Sequence, residues 1–153
     1  MNIRSNDFES DGVLPVKFTC DGENISPHLE WSDAPEETKS FAIVFQSWGE
    51  PVHQQRHWLV YNIPKDVREI PQNGPVPGIE VLNDFGWRGY TGPCPCQGEQ
   101  TYYFTVYALN VENLEGINIF TYEKVGTVDR QNFVPSIDQV TITYAEIGVK
   151  YSR

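Results

Sequence analysis

Apolar and β-branched residues occur in short runs, and stretches rich in polar residues, proline and glycine separate these runs. The clearest runs are Ser40–Phe45, His57–Ile63 and Tyr102–Leu109. The last is apolar on both faces, which is typical of a strand at the centre of a sheet. Pro64 ends the second run, because proline cannot donate a hydrogen bond to a neighbouring strand. These three runs predict the central strands of the fold.

Shorter patterns predict further strands and one helix. The additional strands are Pro15–Thr19, Leu29–Trp31 (a short edge strand), Val140–Tyr144 and Gly148–Tyr151. A helix is predicted at Val128–Gln139 with Thr127 as its N-cap, and the segment from Pro64 to Gly92 is predicted to be mostly irregular. The fold class that follows is all-β, an antiparallel β-sandwich of two sheets with one short C-terminal helix and long Pro/Gly-rich loops.

Length and charge narrow the range of functions. The chain has 153 residues, which predicts one domain spanning residues 1–153. Its formal net charge of −10 would repel nucleic acid and an anionic membrane surface. No apolar run is long enough for a transmembrane helix, and the N-terminus lacks the apolar core of a signal peptide, so we expect a cytoplasmic protein.

The three cysteines predict neither a disulfide framework nor a metal centre. Cys94 and Cys96 flank one proline, and we expect small buried side chains in a tight loop. A zinc site would need a second pair of ligands, and His53 and His57 have a metal-binding spacing only if they share a helix. No cofactor or metal is therefore expected. A disulfide across a single proline would be strained, and Cys20 can pair with either cysteine only if the turns meet.

His57 is the candidate for chemistry. It opens a buried-looking strand and follows a loop, Gln46–Arg56, that contains Trp, Gly, Glu, Pro and His. A histidine in this place is either part of a working site or a core histidine satisfied by a backbone carbonyl. The residues by themselves leave both interpretations open.

Several segments together resemble the phosphatidylethanolamine-binding protein (PEBP) family. The segment from Phe18 to Pro27 (FTCDGENISP) is similar to the family's N-terminal signature, and His57–Pro64 is similar to its central strand. Gly92–Pro95 is similar to the family's glycine- and proline-rich loop. Ala145–Arg153 resembles the C-terminal strand of the bacterial and archaeal branch, which is called Raf-kinase-inhibitor-like. The resemblance covers most of the chain in the family's order.

The resemblance implies a Greek-key β-sandwich with a small anion-binding pocket at one end, which in the family holds phosphate-like groups, including phospholipid head groups. His57 matches the pocket histidine of the central strand. Cys94 and Pro95 match the loop whose backbone approaches the anion. Tyr103 matches the tyrosine of a His-Arg-Tyr triplet, and Thr101 stands at the position of its histidine.

The chain departs from the family where the pocket should be acidic. The family's Asp-Pro-Asp-Ala-Pro loop is replaced by Ser47, Trp48, Gly49, Glu50 and Pro51. A carboxylate beside His57 would favour the imidazolium, whereas the Ser47 hydroxyl carries no charge. Because charge-assisted hydrogen bonds are about twice as strong as neutral ones, we expect anion binding to be weakened or altered. The predicted ligand-binding residues are Ser47, His57, Cys94, Pro95, Thr101 and Tyr103.

These observations favour a non-enzymatic binding protein for a small molecule or a phosphate-like anion. The resemblance also implies an alternative, a regulator that binds a protein target such as a kinase or a protease. Ser47 and His57 could be imagined as nucleophile and base, but no Gly-x-Ser-x-Gly motif is present, so an enzyme is not expected. Resemblance to the microbial branch implies a homodimer.

Overall fold

The computed structural model of the protein describes residues 1–49, 54–115 and 133–153. The strands are β1 (Asn2–Arg4), β2 (Gly12–Val13), β3 (Leu29–Ser32), β4 (Ser40–Trp48), β5 (Arg56–Pro64), β6 (Glu69–Ile70), β7 (Ile79–Glu80), β8 (Glu99–Leu109) and β9 (Thr141–Ser152). Helix α1 spans Phe133–Asp138, and a 3-10 helix spans Val16–Phe18. The predicted all-β class with a short C-terminal helix is confirmed.

The strands form two sheets. The smaller sheet has the order β1-β3-β6, and the larger has the order β2-β9-β8-β4-β5-β7. All pairs within them are antiparallel except β2 and β9, which are parallel. After β5 the chain crosses to the small sheet, returns to the edge of the large sheet as β7, and then places β8 beside β4. This return is the Greek-key connection that the sequence resemblance implies.

The large sheet is covered on both faces, which explains why its central runs are apolar throughout. Phe41, Ile43 and Phe45 alternate along β4 and belong to the core between the sheets. Val44 points to the other face and joins a second core that includes Phe133 of α1. A strand buried on both faces has no polar side, so period-two alternation is absent from its sequence.

In three places the predicted strands differ from the structure. Pro15–Thr19 contains a 3-10 turn rather than a strand, because the Phe18 N–H bonds to the Pro15 carbonyl at 3.0 Å. Leu29–Trp31 lies in the middle of the small sheet and not at an edge. The two predicted C-terminal strands are one continuous strand, β9, which spans Thr141–Ser152. The segment from Pro64 to Gly92 is mostly irregular, as predicted, and it includes two short strands, β6 and β7.

The described part of helix α1 spans Phe133–Asp138. The predicted start at Val128 and the predicted N-cap Thr127 lie outside the described residues. Among the residues that the structure describes, no helix is long and apolar enough to span a membrane.

Candidate functional site

A β-bulge sets the position of His57. Phe45 pairs with Trp58, but the next residue, Gln46, pairs with Arg56, so His57 is the extra residue of β5. The His57 ring lies 5.4 Å from the rings of both Phe45 and Tyr102, measured between ring centroids. The bulge therefore places His57 against the aromatic core between the sheets, at the end where β5 begins.

The hydrogen bond of His57 fixes its tautomer. Its Nδ1 atom lies 2.8 Å from the carbonyl oxygen of Thr91. A carbonyl oxygen only accepts hydrogen bonds, so Nδ1 carries the proton and Nε2 carries a lone pair. Burial lowers the pKa of His57 from its ordinary value of 6.5 to about 4, although hydrogen bonds to Thr91 and Gly92 and the charge of Asp84 oppose this change. The ring is therefore neutral at pH 7.

The Nε2 atom of His57 is the unusual feature of the site. It is buried, the side chain is 2% exposed, and the described residues supply no hydrogen-bond partner for it. Leaving a buried acceptor unpaired costs about 1–3 kcal/mol. The sequence left open that a backbone carbonyl satisfies this histidine, and the Thr91 carbonyl does so for Nδ1. The other ring nitrogen, Nε2, can still accept a hydrogen bond.

Asn83 holds the neighbouring loop against the start of β5. Its side chain is fully buried, and its amide nitrogen lies 3.0 Å from the carbonyl oxygens of both His57 and Gly89. Its Oδ1 atom accepts the backbone N–H groups of Phe85 and Trp87 at 2.9 and 3.1 Å. Asn83 is not among the residues predicted from the sequence. The available signal was the Asn83-Asp84 pair in a loop, because such residues favour hydrogen bonds from the side chain to the local backbone.

His57 lies in the wall of a cavity of about 460 Å³. Four of the predicted ligand-binding residues line it together, namely Ser47, His57, Cys94 and Pro95. Phe85 lies over the imidazole, with its ring centroid 4.6 Å away, and its side chain is 44% exposed. The structure therefore brings the predicted loop and strand residues together at one end of the sandwich.

The other two predicted ligand-binding residues, Thr101 and Tyr103, do not line this cavity. Side chains alternate along β8, and Gln100 and Tyr102 line the cavity together with Glu99, the first residue of the strand. The ring of Tyr103 instead meets the edge of Trp48, at 6.2 Å between centroids, on the opposite face of the sheet. A shift of one residue in the alignment exchanges the two faces of a strand.

Ser47 closes the β4–β5 connection. Its hydroxyl oxygen accepts the backbone N–H of Gln55 at 2.9 Å, and its own N–H donates to the Gln55 carbonyl at 3.0 Å. Since Nε2 of His57 has no partner among the described residues, Ser47 and His57 do not form the hydrogen-bonded pair that a nucleophile and its base require. Glu50, Pro51 and His53 lie outside the described residues.

The described lining of the cavity carries little charge. Its one charged side chain is Glu99, which is exposed, and none of these lining residues is lysine or arginine. The remaining polar groups there are hydroxyls and amides, including those of Ser47 and Gln100. The described lining residues therefore contribute no positive charge to the cavity.

Comparison with known proteins identifies the family. A sequence profile described as phosphatidylethanolamine-binding protein matches residues 4–151. The chain belongs to the PEBP family. The resemblance drawn from the sequence is thus confirmed.

Among PEBP relatives, a UPF0098 protein of Aquifex aeolicus is 43% identical over 121 residues, which cover 74% of this chain and 71% of the relative. The UPF0098 protein YbhB of Escherichia coli is 37% identical over 129 residues, covering 75% of this chain and 82% of the relative. The crystal structure of E. coli YbcL, described as a new member of the mammalian PEBP family, superposes with a TM-score of 0.85 at 28% identity. This superposition covers 99% of this chain and 98% of YbcL.

A second solved structure supports the same fold. The putative PEBP homolog CT736 of Chlamydia trachomatis matches with a TM-score of 0.82 at 28% identity. The match covers 99% of this chain and 97% of CT736.

In this PEBP-family chain, a disulfide joins two loops beside the cavity. Cys20 and Cys94 are bonded, and Cys96 is free. Both Cys94 and Cys96 are exposed, so the expectation of small buried side chains is wrong. The turns do meet, because the Cys20 N–H bonds to the Pro93 carbonyl at 3.2 Å and the Gly92 N–H bonds to Asn24 Oδ1 at 2.7 Å.

A second polar cluster lies on the small sheet, away from these residues. Nε2 of His28 is 3.2 Å from a carboxylate oxygen of Glu69, and Glu30 is close enough for the three to share a cation. However, Nδ1 of His28 accepts the Asn6 backbone N–H at 3.0 Å, so Nε2 carries the proton and donates to Glu69. A metal ligand would need a lone pair at Nε2. The cluster is thus arranged as a hydrogen-bonded connection between β3 and β6.

Proposed function

We propose that this PEBP-family protein is a non-enzymatic binding protein whose cavity takes a small, uncharged ligand carrying an O–H or N–H donor. Phosphate-like anions bind weakly to it near neutral pH. The observation that carries the proposal is that His57, whose buried Nε2 atom has no hydrogen-bond partner among the described residues, lines the cavity. A ligand that donates to this atom removes the cost of an unsatisfied buried acceptor.

The charge of the cavity supports a preference against anions. Inorganic phosphate near neutral pH carries between one and two negative charges, and this charge would meet the neutral His57 ring and the carboxylate of Glu99. The described lining offers no cationic side chain for a charge-assisted bond, which is the strong kind of phosphate contact. Neutral donors such as the Ser47 hydroxyl and the Gln100 amide are weaker substitutes.

The walls of the cavity favour a ligand with a flat apolar body. Phe85 and Tyr102 both lie against the His57 ring, at 4.6 and 5.4 Å between centroids. A volume of about 460 Å³ falls within the range of small-molecule sites, roughly 300–1,000 Å³. An aromatic alcohol combines the required donor with such a body.

Binding without catalysis is proposed because the site lacks a recognisable catalytic arrangement among its described residues. Ser47 is bonded to Gln55 rather than to His57, and a neutral histidine with a pKa of about 4 is a weak base at pH 7. The alternative of a protein-binding regulator relied on the Ser47–Arg56 loop, part of which lies outside the described residues, so it stays a prediction. The homodimer also stays a prediction.

Nuclear magnetic resonance of the histidine ring tests the proposal. We expect benzyl alcohol to shift the Nε2 resonance of His57, whereas benzyl methyl ether, which lacks the donor, and inorganic phosphate at pH 7.5 leave it in place at the same millimolar concentration. Saturable binding of phosphate with no effect of benzyl alcohol would contradict the proposal.

Two matched variants locate the binding. Replacing Tyr102→Leu removes a cavity wall and should weaken benzyl alcohol binding about tenfold, because a buried aromatic contact contributes about 1–1.5 kcal/mol. Replacing Tyr103→Leu changes the neighbouring residue on the opposite face and should leave the affinity unchanged. Equal effects of the two substitutions would place the ligand elsewhere.

A further inference from the structure

Cys96 is the free cysteine of this chain. The chain contains three cysteines, and Cys20 and Cys94 are joined to each other. Cys96 is exposed, and it lines the same cavity as His57. An exposed thiol is open to exchange with disulfides, whereas a buried thiol is inert.

The cavity that Cys96 lines also has a buried polar atom without a hydrogen-bond partner among the described residues. His57 is 2% exposed, its ring lines the cavity, and its Nε2 atom has no hydrogen-bond partner among the described residues. A group attached to Cys96 and carrying N–H donors has the chemistry to fill this need.

We propose that Cys96 is a thiolation site, which exchanges with small cationic disulfides and thereby places the transferred group in the His57 cavity. The exchange at Cys96 is independent of the proposed function. The placement of the transferred group in the cavity rests on the proposed function, because the group and the proposed ligand would donate to the same Nε2 atom of His57.

The chemistry of the step is ordinary thiol–disulfide exchange. The Cys96 thiolate attacks one sulfur of the small disulfide, the sulfur–sulfur bond of that reagent breaks, and a mixed disulfide forms at Cys96. The other half of the reagent leaves as a thiolate and takes up a proton. Cys96 is thereby oxidised and the departing half is reduced, so no further oxidant is needed.

Charge selects the cationic class of disulfide. Glu99 is three residues from Cys96 and lines the cavity, and the whole chain carries a formal net charge of −10. Arg153 lies 3.5 Å from Cys94 Sγ, but its guanidinium is paired with the Asp21 carboxylate at 3.2 Å. The field at the cavity mouth therefore attracts an ammonium group and repels a carboxylate.

Exchange rates of two small disulfides test the proposal on the full chain. Cystamine carries two ammonium groups, and 3,3′-dithiodipropionate is an anionic disulfide of similar length. At pH 8 and low salt we expect cystamine to modify Cys96 about tenfold faster, with the ratio falling toward one in 1 M salt, because salt screens such fields within a few ångströms. Equal rates at low salt would overturn the proposed selectivity.

A relocated thiol provides the control. In the double variant Cys96→Ser and Asn110→Cys, the free thiol lies just past the other end of β8, at an exposed position. The ratio between the two reagents should be smaller there than at Cys96. A ratio as large as that of the natural protein would show that the net charge, and not the cavity, selects the reagent.

Two further measurements separate the parts of the proposal. Peptide mapping should find the cysteamine adduct on Cys96 and the Cys20–Cys94 bond intact; a bond between Cys20 and Cys96 would overturn the thiolation site. In the modified protein the Nε2 resonance of His57 should shift. An adduct on Cys96 without this shift would contradict the placement of the group, while benzyl alcohol binding to the unmodified protein would still support the proposed function.

Discussion

At the scale of the residue, the site depends on one nitrogen atom. The Thr91 carbonyl takes the proton-bearing side of the His57 ring and leaves Nε2 as a buried acceptor. The sequence predicted that His57 begins the central strand and that its acidic neighbours are lost. Both predictions come from comparing the chain with the family's central strand and its Asp-Pro-Asp-Ala-Pro loop. The sequence could not predict the tautomer, because Thr91 is far along the chain and its carbonyl is placed by the folding of a long loop.

The buried histidine predicts a dependence of stability on pH. The pKa of His57 is lowered from 6.5 to about 4 by folding, so between these values the unfolded chain binds a proton that the folded chain does not. This contribution to stability is present above pH 6.5 and is lost as the pH falls toward 4, by about 3 kcal/mol in total.

Chemical unfolding across the pH range checks this dependence. The variant His57→Gln lacks the titrating ring, so the difference in unfolding free energy between the natural protein and the variant should narrow by about 3 kcal/mol from pH 7 to pH 4. A difference that stays constant over this range would show that His57 does not carry the depressed pKa.

At the scale of the element, alternation along β8 decides which side chains enter the cavity. The strand was predicted correctly. Of its residues, Gln100 and Tyr102 line the cavity, whereas the predicted ligand-binding residues Thr101 and Tyr103 do not. The loop before β8 is about one residue shorter than the corresponding loop of the family. Because side chains alternate along a strand, an alignment error of one residue assigns them to the opposite face of the sheet. It is thus easier to predict from the sequence that a strand is present than to predict which of its side chains point to a given face.

The loops that contain Asn24 and Gly92 are tightly packed against each other. A Cβ atom added to Gly92 would lie 2.6 Å from Asn24 Oδ1 and would also collide with the Phe18 carbonyl oxygen. We therefore expect Gly92→Ala to lower the unfolding free energy by about 1–3 kcal/mol through overpacking. The exposed Gln97→Ala, in the same loop, should cost less than about 0.5 kcal/mol. Urea unfolding of both variants checks this, and similar losses in the two would contradict the packing argument.

At the scale of the whole molecule, the fold class was predictable and the cysteine pairing was not. Short apolar runs and long loops are enough to indicate a two-sheet β-fold, because a sheet must bury one face against another layer. Pairing Cys20 with Cys94 requires two turns separated by 74 positions to meet. Such a contact depends on the Gly92 and Cys20 backbone bonds, which no local pattern encodes.

The disulfide should contribute a large part of the stability. It closes a loop with a sequence separation of 74, for which constraint of the unfolded chain is expected to contribute about 4 kcal/mol, with measured values commonly nearer 2–4 kcal/mol. We expect the double variant Cys20→Ala and Cys94→Ala to lose stability of this order in chemical unfolding. Cys96→Ala should leave stability nearly unchanged, and a comparable loss in that variant would indicate a different pairing.

The protonation state of His57 near neutral pH decides whether its Nε2 atom can accept a hydrogen bond from a ligand. A long-range proton–nitrogen correlation spectrum of the ring distinguishes the two neutral tautomers and the imidazolium. At pH 7 we predict a neutral ring with its proton on Nδ1, unchanged down to about pH 5 because the pKa is near 4. An imidazolium at pH 7, or a proton on Nε2, would contradict the account.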